Sequence, residues 1–523
     1  MASVDSRGSE LPTVANNSQI VEQLGEPASV WLYFSQLSQI PRRSGCEADV
    51  LRMLEEFATE RQFECRRDAA GNTVISRPGS GTGREAPTVV IQNHVDMVCV
   101  KGDTSRHDFS MDPIRFVRDG GWGDDWLTAD DTTLGSDNGI GVAIALSVLD
   151  LPQEASLPPI EALFTVDEET GLTGVQKLDP GLVTGRTLLN LDTEQWGEIC
   201  VGSAGTGTTE ILLPVHREAP AGDAVCMQLE VSGLLGGHSG AEIQCDRANA
   251  VKLAARAARR LLAAAPGSQL VDLAGGELRN SIPRRAAATL LVAGRDCSAA
   301  LQAAADASRA AFLAEYGTVE TALELSWREA EAPPAGGRPL CGDSASRLLS
   351  LLSCLPHGVH KYSHSIPGLP ETSSNLAVVE ACGGEAYRVT TTTRSSVPDA
   401  LESVRDAIEA TATLCGGRAE RRPAYSGWQP DLASGLLART RAAYAEALGR
   451  EPRIKASHAG LECGVLSGLL PGLDAVSIGP EIRGAHSVDE RVQVSTVAEC
   501  HRLVLRLLEG LTERRPAQGD ARG

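Results

Sequence analysis

Strand-like apolar runs alternate with helical patterns towards both ends of this 523-residue chain, and this alternation is the strongest constraint on its fold. The runs that we interpret as strands lie at 72–76, 88–92, 159–166, 187–191 and 475–478. Helical patterns lie among them, at 47–63, 139–149, 431–448 and 496–510. Strands that alternate with helices in this way predict an α/β domain with a mostly parallel central sheet.

The middle of the chain has a different pattern. Strand-like runs lie there at 208–214, 224–231 and 286–292. Two long Ala-rich helical segments lie at 246–265 and 297–316. This mixture predicts a separate α+β domain inserted into the α/β domain. We therefore expect an α/β domain formed by residues 28–206 and 426–523, an inserted α+β lid domain at 207–425, and a mobile N-terminal extension at 1–27.

The charge balance makes some classes of partner unfavourable. Lys and Arg total 48 against 68 Asp and Glu, a formal net charge of −20. Because an acidic surface repels phosphate, we expect neither nucleic acid nor an anionic membrane as a partner. No apolar run approaches the ~20 residues of a membrane span, and the first 27 residues lack a secretory-signal pattern. The 13 scattered cysteines without a CxxC pair indicate a reducing compartment, so we predict a cytoplasmic protein.

Histidines and acidic residues lie just beyond the strand-like runs or just before a helix. They are His94, Asp96, Asp137, Glu168, Glu169, Asp192 and His486. Ligands of open α/β sheets bind at the carboxyl ends of the strands, so these side chains should meet at one edge of the sheet. A single His or Asp at a strand end is most often a turn residue, but this whole set predicts one polar site.

The chemistry of this set suits two divalent metal ions per subunit. Imidazole and carboxylate ligands favour zinc, with cobalt or manganese as substitutes. Two ions carry four positive charges, which three carboxylates and one bridging hydroxide would balance. Asp96 is placed to orient the imidazole of His94. Glu168 is placed to act as a general base and then as the acid that protonates the leaving amine.

Several longer segments carry a resemblance to a known family. The chain resembles the co-catalytic zinc exopeptidases, which include carnosinase and aminoacylase, at 94–96 (HVD), 134–141 (LGSDNGIG), 168–171 (EETG) and 190–192 (NLD). The resemblance narrows to the bacterial aminoacyl-histidine dipeptidases of that family at 236–240 (GGHSG), 279–284 (RNSIPR), 427–430 (GWQP), 458–464 (HAGLECG) and 484–487 (GAHS). It extends over residues 30 to 512 and implies a catalytic α/β domain with the zinc-exopeptidase fold.

The resemblance assigns each ligand to a metal ion. His94 and Asp192 would bind one zinc ion, and Glu169 and His486 would bind the other. Asp137 would bridge the two ions.

The resemblance also implies substrate-binding roles for His238, Asn280 and Arg394 in the inserted domain. His238 would donate a hydrogen bond to the developing oxyanion, and in a homodimer it would come from the partner subunit. The planar guanidinium of Arg394 suits a bidentate pair with the carboxylate of the substrate.

The implied activity is hydrolysis of dipeptides, of the Xaa-His type and of broader L-amino-acid types, with β-alanyl-histidine as a further candidate. A metal-bridging hydroxide would attack the peptide bond, with Glu168 as base and acid. An amidohydrolase that deacylates N-acyl amino acids would use the same site, and the sequence does not show whether a free amine is recognised. A binding protein that has lost its metals is disfavoured, because all five ligands and Glu168 are present.

Three further histidines, His357, His360 and His364, have a spacing seen in helical metal sites. Neighbouring prolines and a glycine make a helix unfavourable there, so we expect loop residues. Whether these histidines contact substrate is left open by the sequence.

Overall fold

The computed structural model describes residues 17–512, except for 119, 120, 122, 124, 223, 294–297 and 331–336. The described chain divides into two compact units. The first contains the residues up to Val201, Asp431–Lys455 and the residues from Leu469 onwards, and the second contains Gly202–Pro430 and Ala456–Gly468. Two of the observed boundaries, after Val201 and after Pro430, lie a few residues from those that we expected, at 206 and 426.

The segment Ala456–Gly468 was expected in the α/β domain, but it groups with the second unit. Backbone hydrogen bonds explain this assignment. The N–H of Ala204 lies 3.0 Å from the carbonyl oxygen of Ser457 and 3.2 Å from that of Ala459. A local sequence pattern does not encode such a pairing, because it joins residues about 250 positions apart.

The first unit contains an eight-stranded sheet. Its strands lie in the spatial order Glu64–Arg67, Thr73–Arg77, Ile160–Thr165, Val89–His94, Thr187–Asn190, Asp474–Ser477, Glu198–Ser203 and Arg453–Ser457. The four strands from Ile160–Thr165 to Asp474–Ser477 are parallel to their neighbours in this group. Antiparallel strands flank them. The strand Val89–His94 is buried along its whole length, which is typical of a central strand covered on both faces.

The helices of the first unit are Asn17–Leu24, Ala28–Ser38, Ala48–Glu60, Ser136–Leu149, Thr173–Gln176, Gly435–Leu448 and Val494–Gly510. Ser136–Leu149 is buried along its whole length, which agrees with the mostly apolar run from Ile140 to Leu149. A small second sheet has the order Ile482–Arg483, Arg491–Gln493, Trp126–Ala129 and Phe116–Arg118. Among the described residues, none of the helices is both long enough and apolar enough to cross a membrane.

The predicted N-terminal extension needs a correction at its end. Asn17–Leu24 forms a helix in which Ile20 and Leu24, one turn apart, are buried. The side chain of Asn17 donates to the carbonyl oxygen of Ile114 at 2.8 Å and accepts from the N–H of Phe116 at 2.9 Å. Residues 1–16 of the expected extension lie outside the described residues.

The second unit contains an antiparallel nine-stranded sheet. Eight strands follow the order Glu324–Glu329, Ala224–Ser232, Ala286–Ala293, Gln269–Gly275, Pro370–Cys382, Ala386–Ser395, Gly205–Pro214 and Arg418–Arg421. Gly358–Tyr362 also pairs with Pro370–Cys382. Gly237–His238 and Ser281–Ile282 form a separate two-stranded ribbon.

Helices cover the sheet of the second unit, at Ala250–Ala264, Ser298–Tyr316, Gly342–Cys354 and Pro398–Leu414; Glu462–Leu469 lies mostly in this unit. The helix Ala250–Ala264 begins where the side chain of Asn249 accepts the N–H groups of Val251 and Lys252. Its apolar stripe packs into a core that includes Leu253 and Phe312. The fold is therefore an α/β unit with a largely parallel centre and an inserted α+β unit.

Candidate active site

The five predicted metal ligands meet in the first unit. His94 ends the strand Val89–His94, and Asp192 follows the adjacent parallel strand Thr187–Asn190. The Nε2 atom of His94 lies 3.1 Å from Oδ1 of Asp137 and 3.3 Å from Oδ1 of Asp192. Ligand-binding residues of α/β sheets lie at the carboxyl ends of parallel strands, and this explains why His94 and Asp192 lie together.

The other half of the cluster surrounds His486. Its Nε2 atom lies 3.2 Å from Oδ2 of Asp137 and 3.0 Å from Oε2 of Glu169. Asp137 therefore directs one carboxylate oxygen to each imidazole and is shared by two groups of three side chains. A carboxylate placed in this way could bridge two metal ions.

The donor atoms fit metal ions by spacing and by chemistry. Ligand atoms about 2 Å from a tetrahedral ion lie about 3.3 Å from one another, close to the distances found here. Oε1 of Glu169 is buried and has no hydrogen-bond partner, which leaves it available to a cation. Burial, followed by the neighbouring Asp137 and Glu169, raises the pKa of Asp192 to about 6, although His94 opposes the shift. A cluster with so many buried carboxylates needs positive charge to stay ionised.

Asp96 links the strand end that carries His94 to the loop that carries Glu168 and Glu169. Its carboxylate accepts the backbone N–H groups of Glu168 and Glu169, both at 3.1 Å, and the hydroxyl of Ser44 at 2.8 Å. Nδ1 of His94 lies 3.4 Å from the same carboxylate. Although burial opposes the shift, hydrogen bonds from His94 and Ser44 lower the pKa of Asp96 to about 2. Asp96 can therefore fix both the His94 ring and the loop that carries Glu168.

Glu490 was not predicted from the sequence. It is buried, with 2% of its surface exposed, and lies four residues after His486. Its carboxylate accepts the N–H groups of Leu134 (2.8 Å), Gly135 (3.0 Å), Ser136 (2.7 Å) and Asp137 (3.3 Å), and the hydroxyl of Ser136 (2.6 Å). It therefore ties the loop of His486 to the turn that presents Asp137. An acidic residue in a polar loop gives no local signal of such burial.

Arg42 is a second buried residue that the sequence analysis missed. Its guanidinium donates to the carbonyl oxygens of Val95 at 2.9 Å, Asp96 at 3.1 Å and Gly135 at 2.5 Å. Arg42 thus joins the backbone after His94 to the turn before Asp137.

Glu194 lies near the cluster and was also missed. It is half-buried, two residues after Asp192. Burial, followed by the charges of Asp137 and Asp192, raises the pKa of Glu194 to about 8.

Arg394 lies in the second unit, near the end of the strand Ala386–Ser395, and is 5% exposed. Its Nη1 donates to the hydroxyl of Thr206 at 3.0 Å, and its Nε donates to the hydroxyl of Ser239 at 3.4 Å. Among the described residues, no carboxylate forms an ion pair with it. A buried cation without a counter-charge is costly, so this guanidinium is suited to an anionic ligand.

His238 lies beside Arg394. Its Nδ1 accepts the N–H groups of Gly240 at 3.2 Å and Ala241 at 3.1 Å, which indicates that the ring proton is on Nε2. Burial, with a smaller contribution from Arg394, lowers the pKa of His238 to about 4. The ring is therefore neutral at pH 7, and its Nε2–H is available as a donor. A Cβ atom at Gly240 would lie 3.0 Å from Cε1 of His238 and 3.1 Å from Cζ of Arg394, so both side chains border this glycine.

Asn280 is adjacent to His238. Its carbonyl oxygen accepts the N–H of Ser239 at 2.7 Å, and the next residue, Ser281, pairs with His238 in the two-stranded ribbon. The side chain of Asn280 is exposed. The three predicted substrate-binding residues therefore lie in one region of the second unit.

The histidines at 357–364 do not form a cluster with Arg394. The expected loop is in part a strand, Gly358–Tyr362, in which Nε2 of His360 lies 2.8 Å from the hydroxyl of Ser374. Ser373, the preceding residue, pairs with Arg394, so Ser374 faces the opposite side of the sheet. His364 is exposed.

Comparisons with known proteins bear on the family of this chain. The model of the family described as Peptidase family M20/M25/M40 matches residues 90–510. The cytosol non-specific dipeptidase of Escherichia coli (strain K12) is 35% identical over 486 residues, which cover 92% of this chain and 97% of that protein. The resemblance predicted from the sequence is thereby confirmed.

Solved structures extend the comparison to the fold. The aminoacylhistidine dipeptidase from Vibrio alginolyticus has a TM-score of 0.84 and 35% identity, and the match covers 94% of this chain and 98% of that one. The aminopeptidase PepT from Bacillus cereus has a TM-score of 0.54 at 17% identity, covers 94% of this chain and 100% of that one, and shares the fold. The predicted fold class is confirmed, and so is the prediction of a hydrolase that acts on peptide bonds. The chain belongs to peptidase family M20/M25/M40.

Proposed function

We propose that this peptidase is a cytoplasmic dipeptidase that works with two zinc ions, for which cobalt or manganese can substitute. Its substrates are L-amino-acid dipeptides, those of the Xaa-His type among them, with β-alanyl-histidine as a further candidate. The observation that carries the proposal is the carboxylate of Asp137, whose two oxygens lie 3.1 and 3.2 Å from two different imidazoles. The relatives at 35% identity are named as dipeptidases, which supports the substrate class.

In the proposed centre, His94 and Asp192 would hold one ion, Glu169 and His486 would hold the other, and Asp137 would be shared by both. When bound, the ions would lower the pKa of water to about 7 and polarise the scissile carbonyl group. The carboxylate of Glu168 takes the proton from the attacking water and then gives it to the leaving amine. Asp96 holds the backbone N–H of Glu168 and so positions this carboxylate.

Arg394, His238 and Asn280 bind the substrate in this proposal. The guanidinium of Arg394 pairs with the C-terminal carboxylate. The Nε2–H of His238 donates to the oxyanion that develops on the scissile carbonyl group, and its neutral state keeps the proton in place for this role. Asn280 lies next to His238 and contributes its exposed amide.

Arg394→Ala tests the carboxylate role. A lost buried ion contact is worth about 2–4 kcal/mol, so kcat/KM for a dipeptide should fall roughly 30- to 1000-fold. The same dipeptide amidated at its C-terminus has no carboxylate, so its turnover should change far less. Steady-state kinetics with both substrates measure the difference.

The matched control for this variant is Arg388→Ala on the same strand. Arg388 is exposed and forms a surface ion pair with Glu380 at 3.1 Å, so its loss should leave both substrates nearly unaffected. An equal loss on dipeptide and amide in Arg394→Ala would contradict the carboxylate role and leave the metal site untouched.

We further propose a homodimer in which His238 acts in the site of the partner subunit. Glu168→Ala and His238→Ala subunits should each be inactive alone. When they are mixed, one site of each heterodimer combines an intact Glu168 with an intact His238. Roughly a quarter of the wild-type activity should return after random exchange of subunits. If heterodimers are shown to form by mass spectrometry and the mixture stays inactive, His238 does not act across the interface.

A further inference from the structure

Glu194 is a carboxylate beside the metal ligands that the proposed mechanism does not use. It is half-buried, and among the described residues its side chain makes no hydrogen bond and no ion pair. A partly desolvated carboxylate without a partner is unfavourable unless a ligand compensates it.

The backbone directs this side chain towards the site. The hydroxyl of Thr193 forms a hydrogen bond with the hydroxyl of Ser477 at 2.7 Å, so Thr193 points towards the adjacent strand. Side chains alternate along an extended segment, and Asp192 and Glu194 therefore share the opposite side. Because Asp192 belongs to the metal cluster, Glu194 borders the same space.

Neighbouring segments hold Glu194 close to the second group of ligands. Its carbonyl oxygen accepts the N–H of Ile482 at 2.8 Å, and Ile482 lies four residues before His486. Its carboxylate is close enough to Asp137, Asp192 and His486 to interact with them electrostatically.

The other carboxylates of the site already have roles in the proposal. Asp137, Glu169 and Asp192 bind the ions, Asp96 and Glu490 position the ligand segments, and Glu168 transfers the proton. Glu194 is therefore the carboxylate left to pair with a monovalent cation on the substrate.

We propose that Glu194 binds the protonated α-amino group of the dipeptide and thereby selects dipeptides over N-acyl amino acids. The inference rests on the proposed dipeptidase function and names the group that distinguishes its substrates. A dipeptide carries an ammonium group at one end and a carboxylate at the other. The carboxylate of Glu194 has the charge opposite to that of the ammonium group, and it has no ionic partner among the described residues.

Glu194→Gln keeps the shape of the side chain and removes its charge. The test compares alanyl-alanine with propionyl-alanine, which differs only by the missing amine and is measured as a competitor of alanyl-alanine hydrolysis. In the variant, kcat/KM for alanyl-alanine should fall about 10- to 100-fold, mainly through KM. The competition constant of propionyl-alanine should change by less than about 3-fold, because it lacks the charge that Glu194 binds.

Glu481→Gln is the matched control. Glu481 lies beside this segment, and its carboxylate already accepts the N–H of Trp196 at 3.1 Å and pairs with Arg483 at 3.0 Å. In this variant, the ratio of kcat/KM for alanyl-alanine to the competition constant of propionyl-alanine should stay at the wild-type value. Metal content is measured in every protein, because Glu194→Gln should retain its ions.

The outcomes separate the inference from the function on which it rests. An equal loss for both ligands, no loss for alanyl-alanine, or a fall in metal content would overturn the role of Glu194 while the wild type remains a dipeptidase. A metal-loaded wild-type protein that does not hydrolyse alanyl-alanine would overturn both proposals.

Discussion

Glu168→Ala should lower kcat for dipeptides by about 10²–10⁴-fold, the usual contribution of a general acid–base group. The water would then lose its proton acceptor, and the leaving amine would lose its proton donor. Both metal ions should remain bound, because Glu168 is not among the five proposed ligands. Steady-state kinetics and metal analysis of the same dialysed sample measure the two quantities.

The neighbouring variant, Glu169→Ala, provides the contrast. Oε2 of Glu169 lies 3.0 Å from Nε2 of His486, so its removal should lower metal occupancy and lose activity for that reason. Added metal should restore part of the activity of Glu169→Ala and none of that of Glu168→Ala. The reverse pattern would mean that the two adjacent glutamates have exchanged roles.

Removal of the metal ions should abolish turnover. Free water has a pKa of 15.7, and only a bound cation brings it to about 7, so the nucleophile is almost absent at neutral pH without metal. Zinc, cobalt or manganese added to the chelated protein should restore activity. Circular dichroism of the chelated sample should show a folded chain, since the core of the first unit is built from buried apolar side chains.

The sequence predicted that the candidate ligands lie together because its signals are local. His94 and Asp192 each follow an apolar run, and the carboxyl ends of parallel strands meet at one edge of a sheet. Two short patterns and a general topological rule are therefore enough to bring residues about 100 positions apart together. The resemblance then supplied the pairing of ligands with ions, which the patterns alone left open.

The residues that hold that cluster in place, Glu490 and Arg42, could not be predicted in this way. Glu490 and Ser136 are 354 residues apart in the chain, and Arg42 and Gly135 are 93 apart. Charged residues are mostly exposed, so a sequence pattern treats each of these as part of a solvated surface. Their burial follows from tertiary packing, which encloses them with backbone groups that need partners.

Prediction of the inserted unit from the sequence was limited for the same reason. The pattern predicted its α+β character, but the segment Ala456–Gly468 joins it through contacts with distant backbone. The strand Gly358–Tyr362 was expected to be a loop, because prolines and glycines surround it. It pairs with the buried strand Pro370–Cys382, and tertiary pairing therefore outweighs local propensity there.

Titration of the metal-free protein with zinc tests the central claim most directly. The rate of dipeptide hydrolysis is followed against bound metal, with an N-acetyl amino acid as the parallel substrate. We expect the rate to rise with occupancy, to level off at two ions per chain, and to stay far lower for the N-acetyl amino acid. Full dipeptide hydrolysis without metal, or faster hydrolysis of the N-acetyl amino acid, would contradict a two-metal dipeptidase.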